Sequence, residues 1–509
     1  MESTPATDYP LVQASRKGAA AATKLPDKSD NTQHFADSEI GTLQRIIIHA
    51  PDPGVGIFPP RAMRDLLYDD IVDYNKICSE YSEYLELLYW FLDPKKMRSI
   101  AKYLDDSVGL KPYFDPANEL YLRSDKVIDV QDLLVQVCAE PSRARLVITS
   151  VAGLEGLSFQ TQDLLAKLPP RQLASTLING ILPTKDGVKK LFSPATNFIF
   201  TRDTAVLIHD HVFITRPKER ARIREGLLLQ HALHQGILGG DHQHIVQLDR
   251  CVTDSFPDFK TKMTIEGGDI MMIAPGHVII GFTSRTNHLA IDRFIRVLFD
   301  RDLATKVSVV CLPHARDFMH IDTVFTQIKR DLWAIFGPFS RQGHVRAKRA
   351  YLTHELDASV NERPVRIFQY QKTPRGVDCR SFDFLDDLLT AVSKEDMGHQ
   401  GDVNFIYCGG GRSFAEEREQ WMDGCNFLAL AEGIVLGYDR NHLTTSAFAQ
   451  RGFQIIDGPT LNRQLRSGES IDDLLAKDSI ILLPSAELSR ARGGSHCMSM
   501  PLVREALTF

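Results

Sequence analysis

Nowhere in the 509 residues do two cysteines form a Cys-x-x-Cys pair; the eight present (Cys78, Cys138, Cys251, Cys311, Cys379, Cys408, Cys425 and Cys497) are scattered. That spacing fits neither a zinc knuckle nor a dense disulfide framework, so a reducing compartment is expected, with seven of the eight serving as small buried hydrophobes. No apolar run approaches the roughly 20 residues of a membrane helix, and no hydrophobic segment follows a basic start. Basic charge is not in excess either: 59 Lys and Arg against 65 Asp and Glu leave a net charge of -6, which argues against nucleic acid as the main partner. With 43% apolar and 24% charged residues, a substantial core is possible. The chain reads as soluble and cytoplasmic, with no membrane or nucleic-acid partner.

Along the chain, residues 1–38 are rich in Ala, Ser, Thr, Lys and Asp without apolar periodicity, and read as a disordered tail; the interspersed Glu2, Asp8, Asp27 and Asp30 count against a transit peptide. Order is expected from 39 to 509, opening with the β-branched run Ile46-Ile-Ile48 as a buried strand. From 60 to 187 the apolar spacing turns helical, notably over Val72 to Leu92, Lys95 to Leu104 and Asp132 to Cys138, so this block reads as a helical insertion. A repeat follows. Asp203, Asp269 and Asn426 each precede an apolar strand, a turn, a second apolar strand and an arginine (Arg216, Arg285 and Arg440). Three such units argue for an α/β assembly with pseudo-symmetry about an axis, its repeated polar residues facing the centre.

Cys497 closes the stretch Arg490-Ala-Arg492-Gly493-Gly494-Ser495-His496-Cys497. Positive neighbours lower a thiol's pKa, so Cys497 reads as a nucleophile, against the plainer alternative of a buried structural cysteine. Beside the hairpins stand Asp203, the pair Glu266 and Asp269 separated by two glycines, and His320-Ile321-Asp322. Positions two apart on a strand share a face, which would make His320 and Asp322 neighbours. Together these residues form a coherent device. Asp203 and Asp322 would grip a planar cation from two sides, Glu266 would keep His320 protonated and oriented, and Cys497 would attack a guanidinium carbon. No metal or other cofactor is required.

The motifs Phe200-Thr-Arg-Asp203, Glu266-Gly-Gly-Asp269, Met319-His-Ile-Asp-Thr323, Arg418-Glu-Gln-Trp-Met-Asp-Gly424, Tyr438-Asp-Arg-Asn441 and Arg492-Gly-Gly-Ser-His-Cys-Met-Ser-Met-Pro501 resemble the arginine deiminases of the guanidine-modifying superfamily. They occur in the family's order across roughly 40–60, 190–330 and 400–509. The resemblance implies a five-bladed α/β propeller with an inserted helical domain, hydrolysing L-arginine to L-citrulline and ammonia through a covalent S-alkylthiouronium intermediate. It implies Cys497 as nucleophile, His320 as acid and base with Glu266 as its partner, and Asp203 and Asp322 on the guanidinium. Asn197, Arg222 and Arg285 would clamp the substrate's carboxylate, Asp269 counts with the substrate-binding residues, and Arg492 would lie beside the nucleophile. A homo-oligomer is compatible with all of this.

The chain departs from the compact bacterial enzymes by its tail, a larger helical block around 105–190 and an expanded segment near 338–400, whose Arg346-Ala-Lys-Arg349 and Glu355 to Glu362 read as a solvated connection. Ser495 and Ile321 are small changes inside motifs. Three alternatives remain open at this point: a citrulline ureidohydrolase, an amidinotransferase and a non-catalytic arginine-binding sensor.

Overall fold

The computed structural model describes residues 34–105, 108–184, 187–238, 243–248, 263–352 and 365–508. Among them, five sheets repeat one design: an antiparallel pair of strands, the second of which is flanked by a parallel strand. The second sheet pairs Ala205–Ile208 with His211–Ile214 and adds Ile245–Gln247; the fourth pairs Phe325–Lys329 with Leu332–Ile335 and adds Asn404–Tyr407. The fifth pairs Leu428–Ala431 with Ile434–Tyr438, then adds Ser479–Leu483 and, at its edge, Gln454–Asp457.

The third sheet begins the same way, with Ile270–Ala274, His277–Phe282 and Lys306–Cys311. It is then widened by Arg366–Thr373 and Gly376–Phe382. The expanded segment near 338–400 therefore builds sheet beyond its charged stretches, because Ile367, Phe368 and Tyr370 supply apolar side chains that pack against the neighbouring strand and helix. Arg346 to Arg349, expected to be a solvated connection, fall in a helix, Arg341–Leu352. Glu355 to Glu362 lie outside the described residues. The first sheet is assembled from distant parts of the chain: Leu43–Ile48 lies antiparallel to Met500–Arg504 and parallel to Val127–Asp129.

The strands are rich in Val, Ile and Leu on both faces, as strands buried on both sides must be. Successive residues consequently serve different cores. Ala205 and Leu207 pack toward the first sheet, while Val206 and Ile208 pack toward the third. Met271 and Ile273 join the fourth sheet's Phe325 and Trp333, and Ile328 and Ala334 join the fifth sheet's Ala429 and Val435. The fifth sheet's Leu428 and Leu436 in turn meet Ile46 and Ile48 of the first. Apolar cores thus connect each sheet to the next and the last to the first.

Helices form where the apolar spacing indicated them, at Tyr74–Leu92, Pro94–Ile100, Val130–Cys138, Phe159–Leu165 and Pro170–Asn179, and also at Pro141–Glu155, which the spacing had not indicated. Asp73 and Asp129 cap two of them by accepting backbone N–H groups. The block 60–187 is nonetheless not helical throughout. Val127–Asp129 crosses it as a strand of the first sheet, and the hairpin Ile181–Thr184 with Gly187–Lys190 closes it. Val127–Asp129 is three residues long, too short for its periodicity to be read in the sequence.

Of the span expected to be a tail, residues 1–33 lie outside the described residues, whereas 34–38 are packed. Phe35 exchanges backbone hydrogen bonds with Leu502 and Arg504, and Ala36 with His209. The next residue, Glu39, pairs with buried Arg202 through both carboxylate oxygens. Backbone pairing and one buried ion pair anchor this segment without any apolar period. Among the described residues no helix is long and apolar enough to cross a membrane.

Candidate active site

A polar residue stands just ahead of the first strand in four sheets, and Cys497 stands ahead of the returning strand in the other. Asp203 precedes Ala205–Ile208, Asp269 precedes Ile270–Ala274, Asp322 precedes Phe325–Lys329, Asn426 precedes Leu428–Ala431, and Cys497 precedes Met500–Arg504. All five are at least 95% buried. The repeat read from three hairpins thus extends to five positions.

Asp322 and Cys497 are in contact, Oδ2 lying 3.3 Å from Sγ. The same oxygen is 3.0 Å from His496 Nδ1, and His496 Nε2 is 3.3 Å from Glu39. The carboxamide of Asn426 fills the remaining space: its Nδ2 donates to Cys497 Sγ at 3.2 Å, and its Oδ1 accepts from the backbone N–H groups of His496 and Cys497 at 3.1 and 3.2 Å. This approach depends on Gly494, where an added Cβ would lie 2.5 Å from Asn426 Oδ1.

The expected lowering of the thiol's pKa is not realised. Burial pushes Cys497 well above its ordinary value, and Asp322, Asp203 and Asp423 push it further. The flanking cations are engaged elsewhere: Arg490 pairs with Asp70 and Glu487, Arg492 stacks 3.4 Å from the Trp421 ring centroid and hydrogen-bonds its carbonyl, and His496 joins Asp322 to Glu39. Sequence neighbours are not spatial neighbours here. Nor are all the other cysteines buried, since Cys379 is exposed and Cys311 half-buried; Cys251 lies outside the described residues.

His320 is held from both sides. Its Nε2 is 2.8 Å from Glu266 Oε2, and its Nδ1 is 3.5 Å from Asp203 Oδ1. Burial opposes the imidazolium, but Asp203, Glu266 and Asp269 outweigh it and raise the pKa to about 10. Glu266 is displaced downward: burial disfavours its anion, yet the hydrogen bond from His320 and the charge of Arg285 prevail. Gly268 makes the pairing possible, because a Cβ there would lie 2.6 Å from His320 Nδ1 and 2.8 Å from Asp203 Oδ1. His320 and Asp322 do not share a strand face. His320 stands just before a 3-10 turn, Ile321–Thr323, and Asp322 lies within it, and no hydrogen bond or ion pair links them.

Asp203 and Asp322 each keep one buried oxygen, Oδ1, without a hydrogen-bond partner. Arg222 bonds the other oxygen of Asp203, donates to Glu225 at 2.9 Å and contacts the carbonyls of Asn197 and Phe200. Asn197 itself donates to the carbonyl of Leu66. Arg285 is more lightly engaged, 3.6 Å from Glu266 and 3.9 Å from Glu219. Of the three arginines that follow the hairpins, it alone reaches this group: Arg216 is exposed and Arg440 binds Ala486 and Ser489.

Asp269, expected among the substrate-binding residues, is engaged within the protein. One of its oxygens accepts from Thr283 at 2.7 Å and the other from the Ile321 N–H at 3.1 Å, so it braces the turn between His320 and Asp322. Burial raises its pKa to about 7.

Residues absent from the sequence-based site complete the arrangement. They are Glu39, Glu225, Asn426, His496 and Asp423, whose pKa burial lifts to about 7. Asn426 was visible as the head of a repeat, and Asp423 and His496 stand inside motifs. Glu39 carried no signal.

Asp203, Glu266 and His320 also form the one group, among the described residues, whose ligand atoms lie close enough to hold a metal, within 4.8 Å. Both ring nitrogens of His320 already face carboxylate oxygens of this group, at 2.8 and 3.5 Å, so the three side chains satisfy one another.

Comparison with known proteins bears on this chemistry. Residues 182–504 match the family model described as arginine deiminase. The arginine deiminases of Bacillus cytotoxicus and Bacillus cereus strain B4264 are each 28% identical, over 478 and 479 residues, covering 92% of this chain and 98% of theirs. Among solved structures, an amidinotransferase from Microseira wollei superposes with a TM-score of 0.44 at 12% identity, covering 93% of this chain and 98% of its own.

Proposed function

The chain belongs to the arginine deiminase family, and we propose that it hydrolyses L-arginine to L-citrulline and ammonia with Cys497 as nucleophile. The observation that carries the reading is that Asp203 and Asp322, beside a thiol, each keep a buried Oδ1 that accepts no hydrogen bond, with the His320 imidazolium 3.5 Å from that of Asp203. A buried carboxylate oxygen that accepts no hydrogen bond is costly, and a guanidinium supplies planar N–H donors to both.

Arginine binding also addresses the unreactive thiol. A cation placed between Asp203 and Asp322 offsets the charges that raise the thiol's pKa, so the thiolate forms when substrate is present and its proton passes to solvent. Sulfur adds to the guanidinium carbon. His320 gives its proton to the departing nitrogen, ammonia leaves, and an S-alkylthiouronium remains on Cys497. The imidazole, now neutral, takes a proton from water as the water oxygen adds to the same carbon. Collapse of that adduct breaks the C–S bond as the hydroxyl proton passes to the departing sulfur, which releases citrulline and restores the thiol; His320 ends protonated as it began. Two additions each cross a lower barrier than one direct displacement.

Arg285 is the principal partner of the α-carboxylate in this reading, with Asn197 and the one Arg222 N–H not committed to Asp203, Glu225 or the carbonyls of Asn197 and Phe200 completing the clamp. Arg492, stacked on Trp421, closes the site beside the nucleophile. The five sheets form the blades of a propeller, a reading supported by their repeated strand order and by the apolar cores that link the fifth sheet back to the first. Their five head residues then surround the reacting centre.

The test is incubation with L-arginine, and separately with L-citrulline, followed by mass spectrometry. Citrulline and ammonia from arginine are expected. Ornithine from citrulline with arginine untouched would replace the proposal with a ureidohydrolase, and amidino transfer to an added amine without citrulline would replace it with an amidinotransferase.

A further inference from the structure

We infer that Asn426 is a catalytic residue that stabilises the Cys497 thiolate, through the Nδ2–H···Sγ contact, and does not serve only to brace the loop. The inference rests on the reading of Cys497 as the nucleophile. It starts from an electrostatic imbalance. The sulfur faces Asp322 at 3.3 Å, and burial with three carboxylates works against its anion. Neither flanking arginine nor His496 offsets this, since each is bound elsewhere. The one side-chain N–H within hydrogen-bond distance of Sγ, among the described residues, belongs to Asn426, at 3.2 Å.

The carboxamide is fixed to make that contact. Its oxygen accepts two consecutive N–H groups, of His496 and Cys497, which settles which end is oxygen and directs the NH2 group toward Sγ and the carbonyl of Asp322, 3.0 Å away. The residue is 1% exposed, which shields the donor from bulk solvent. A hydrogen bond to a charged sulfur is stronger than one to a neutral thiol, so the contact favours the thiolate over the thiol. Position supports this assignment. Asn426 occupies the place held by Asp203, Asp269 and Asp322 at the heads of other sheets. A fourth carboxylate there would oppose the thiolate, whereas the isosteric amide donates to it.

The pH dependence of Cys497 alkylation by iodoacetamide tests this without requiring turnover, read by mass spectrometry of the peptide containing Cys497. In Asn426→Ala and Asn426→Ser, both uncharged, the midpoint should move upward by about one pH unit. With arginine, kcat should fall about 10- to 100-fold, more than KM changes, in keeping with the loss of one charge-assisted hydrogen bond. Asn426→Asp keeps the oxygen that holds the loop and loses the donor; it should fold like the wild type and be the least reactive of the three. An unmoved midpoint in whichever neutral variants fold, or wild-type reactivity in Asn426→Asp, would reduce Asn426 to a loop brace. Failure of the deiminase reading would appear separately, as wild-type protein that alkylates normally but leaves arginine unchanged.

Discussion

A single oxygen of Asp322 faces two residues of the closing loop: Oδ2 lies 3.3 Å from Cys497 Sγ and 3.0 Å from His496 Nδ1. This carboxylate helps hold the thiol well above its ordinary pKa, and under the proposed mechanism it is also the one that grips the substrate. Asp322→Asn should lower the midpoint of Cys497 alkylation in the empty protein, opposite in sign to the Asn426 variants, while citrulline production falls at least 100-fold for want of the guanidinium contact. An unchanged or higher midpoint would mean that Asp322 does not set the thiol's reactivity.

Cys497→Ala should yield no citrulline while retaining circular dichroism and cooperative unfolding. The lost sulfur leaves a void worth no more than about 1–2 kcal/mol of stability, well within a typical folding margin. Residual turnover above the uncatalysed rate would remove Cys497 from the mechanism.

His320 has a folded pKa raised from 6.5 to about 10. A group that holds its proton more tightly when folded contributes stability that is fully present below pH 6.5 and fades as pH rises through 10. Glu266→Gln removes the closest carboxylate and brings that pKa down. Urea unfolding from pH 6 to 10 should show the gap between wild type and variant narrowing as pH rises. A gap that widens toward pH 10 would contradict a protonated His320.

Arg285→Ala should raise KM for arginine about 10- to 100-fold, as expected for loss of one charge-assisted carboxylate contact. Because Arg285 also lies 3.6 Å from Glu266, a smaller fall in kcat is expected as well. Steady-state kinetics with arginine and with agmatine, which lacks the carboxylate, separate the two effects. The KM penalty should vanish for agmatine, and an equal penalty on both substrates would dissolve the clamp.

Gly268→Ala should reduce kcat about 100-fold or more with little change in global fold, because its methyl group would enter the 2.6 Å gap to His320 and part it from Asp203. Near-normal activity would show that the His320 pairing tolerates displacement.

Much of this molecule was legible in its chain. The helices at Tyr74–Leu92 and Val130–Cys138 followed from apolar spacing, and the hairpins behind Asp203, Asp269 and Asn426 followed from paired apolar runs. The strand Val127–Asp129 did not, since three residues carry no period, and neither did the anchoring of Phe35, which depends on backbone hydrogen bonds that any side chain permits. The same limit applies to Glu39, an acid like any other until Arg202 and His496 are brought to it.

What the sequence determined by itself was the chemical inventory: a thiol, an imidazole and several carboxylates at the ends of apolar runs, in the order of a guanidine-modifying enzyme. What only the tertiary structure decided was who faces whom. Arg490 and Arg492, seven and five positions before Cys497, leave its thiol unassisted, while Asp322 and Asn426, far away in the chain, touch it. Electrostatic interactions depend on distance through space and on burial, and a linear sequence specifies neither until the sheets have packed.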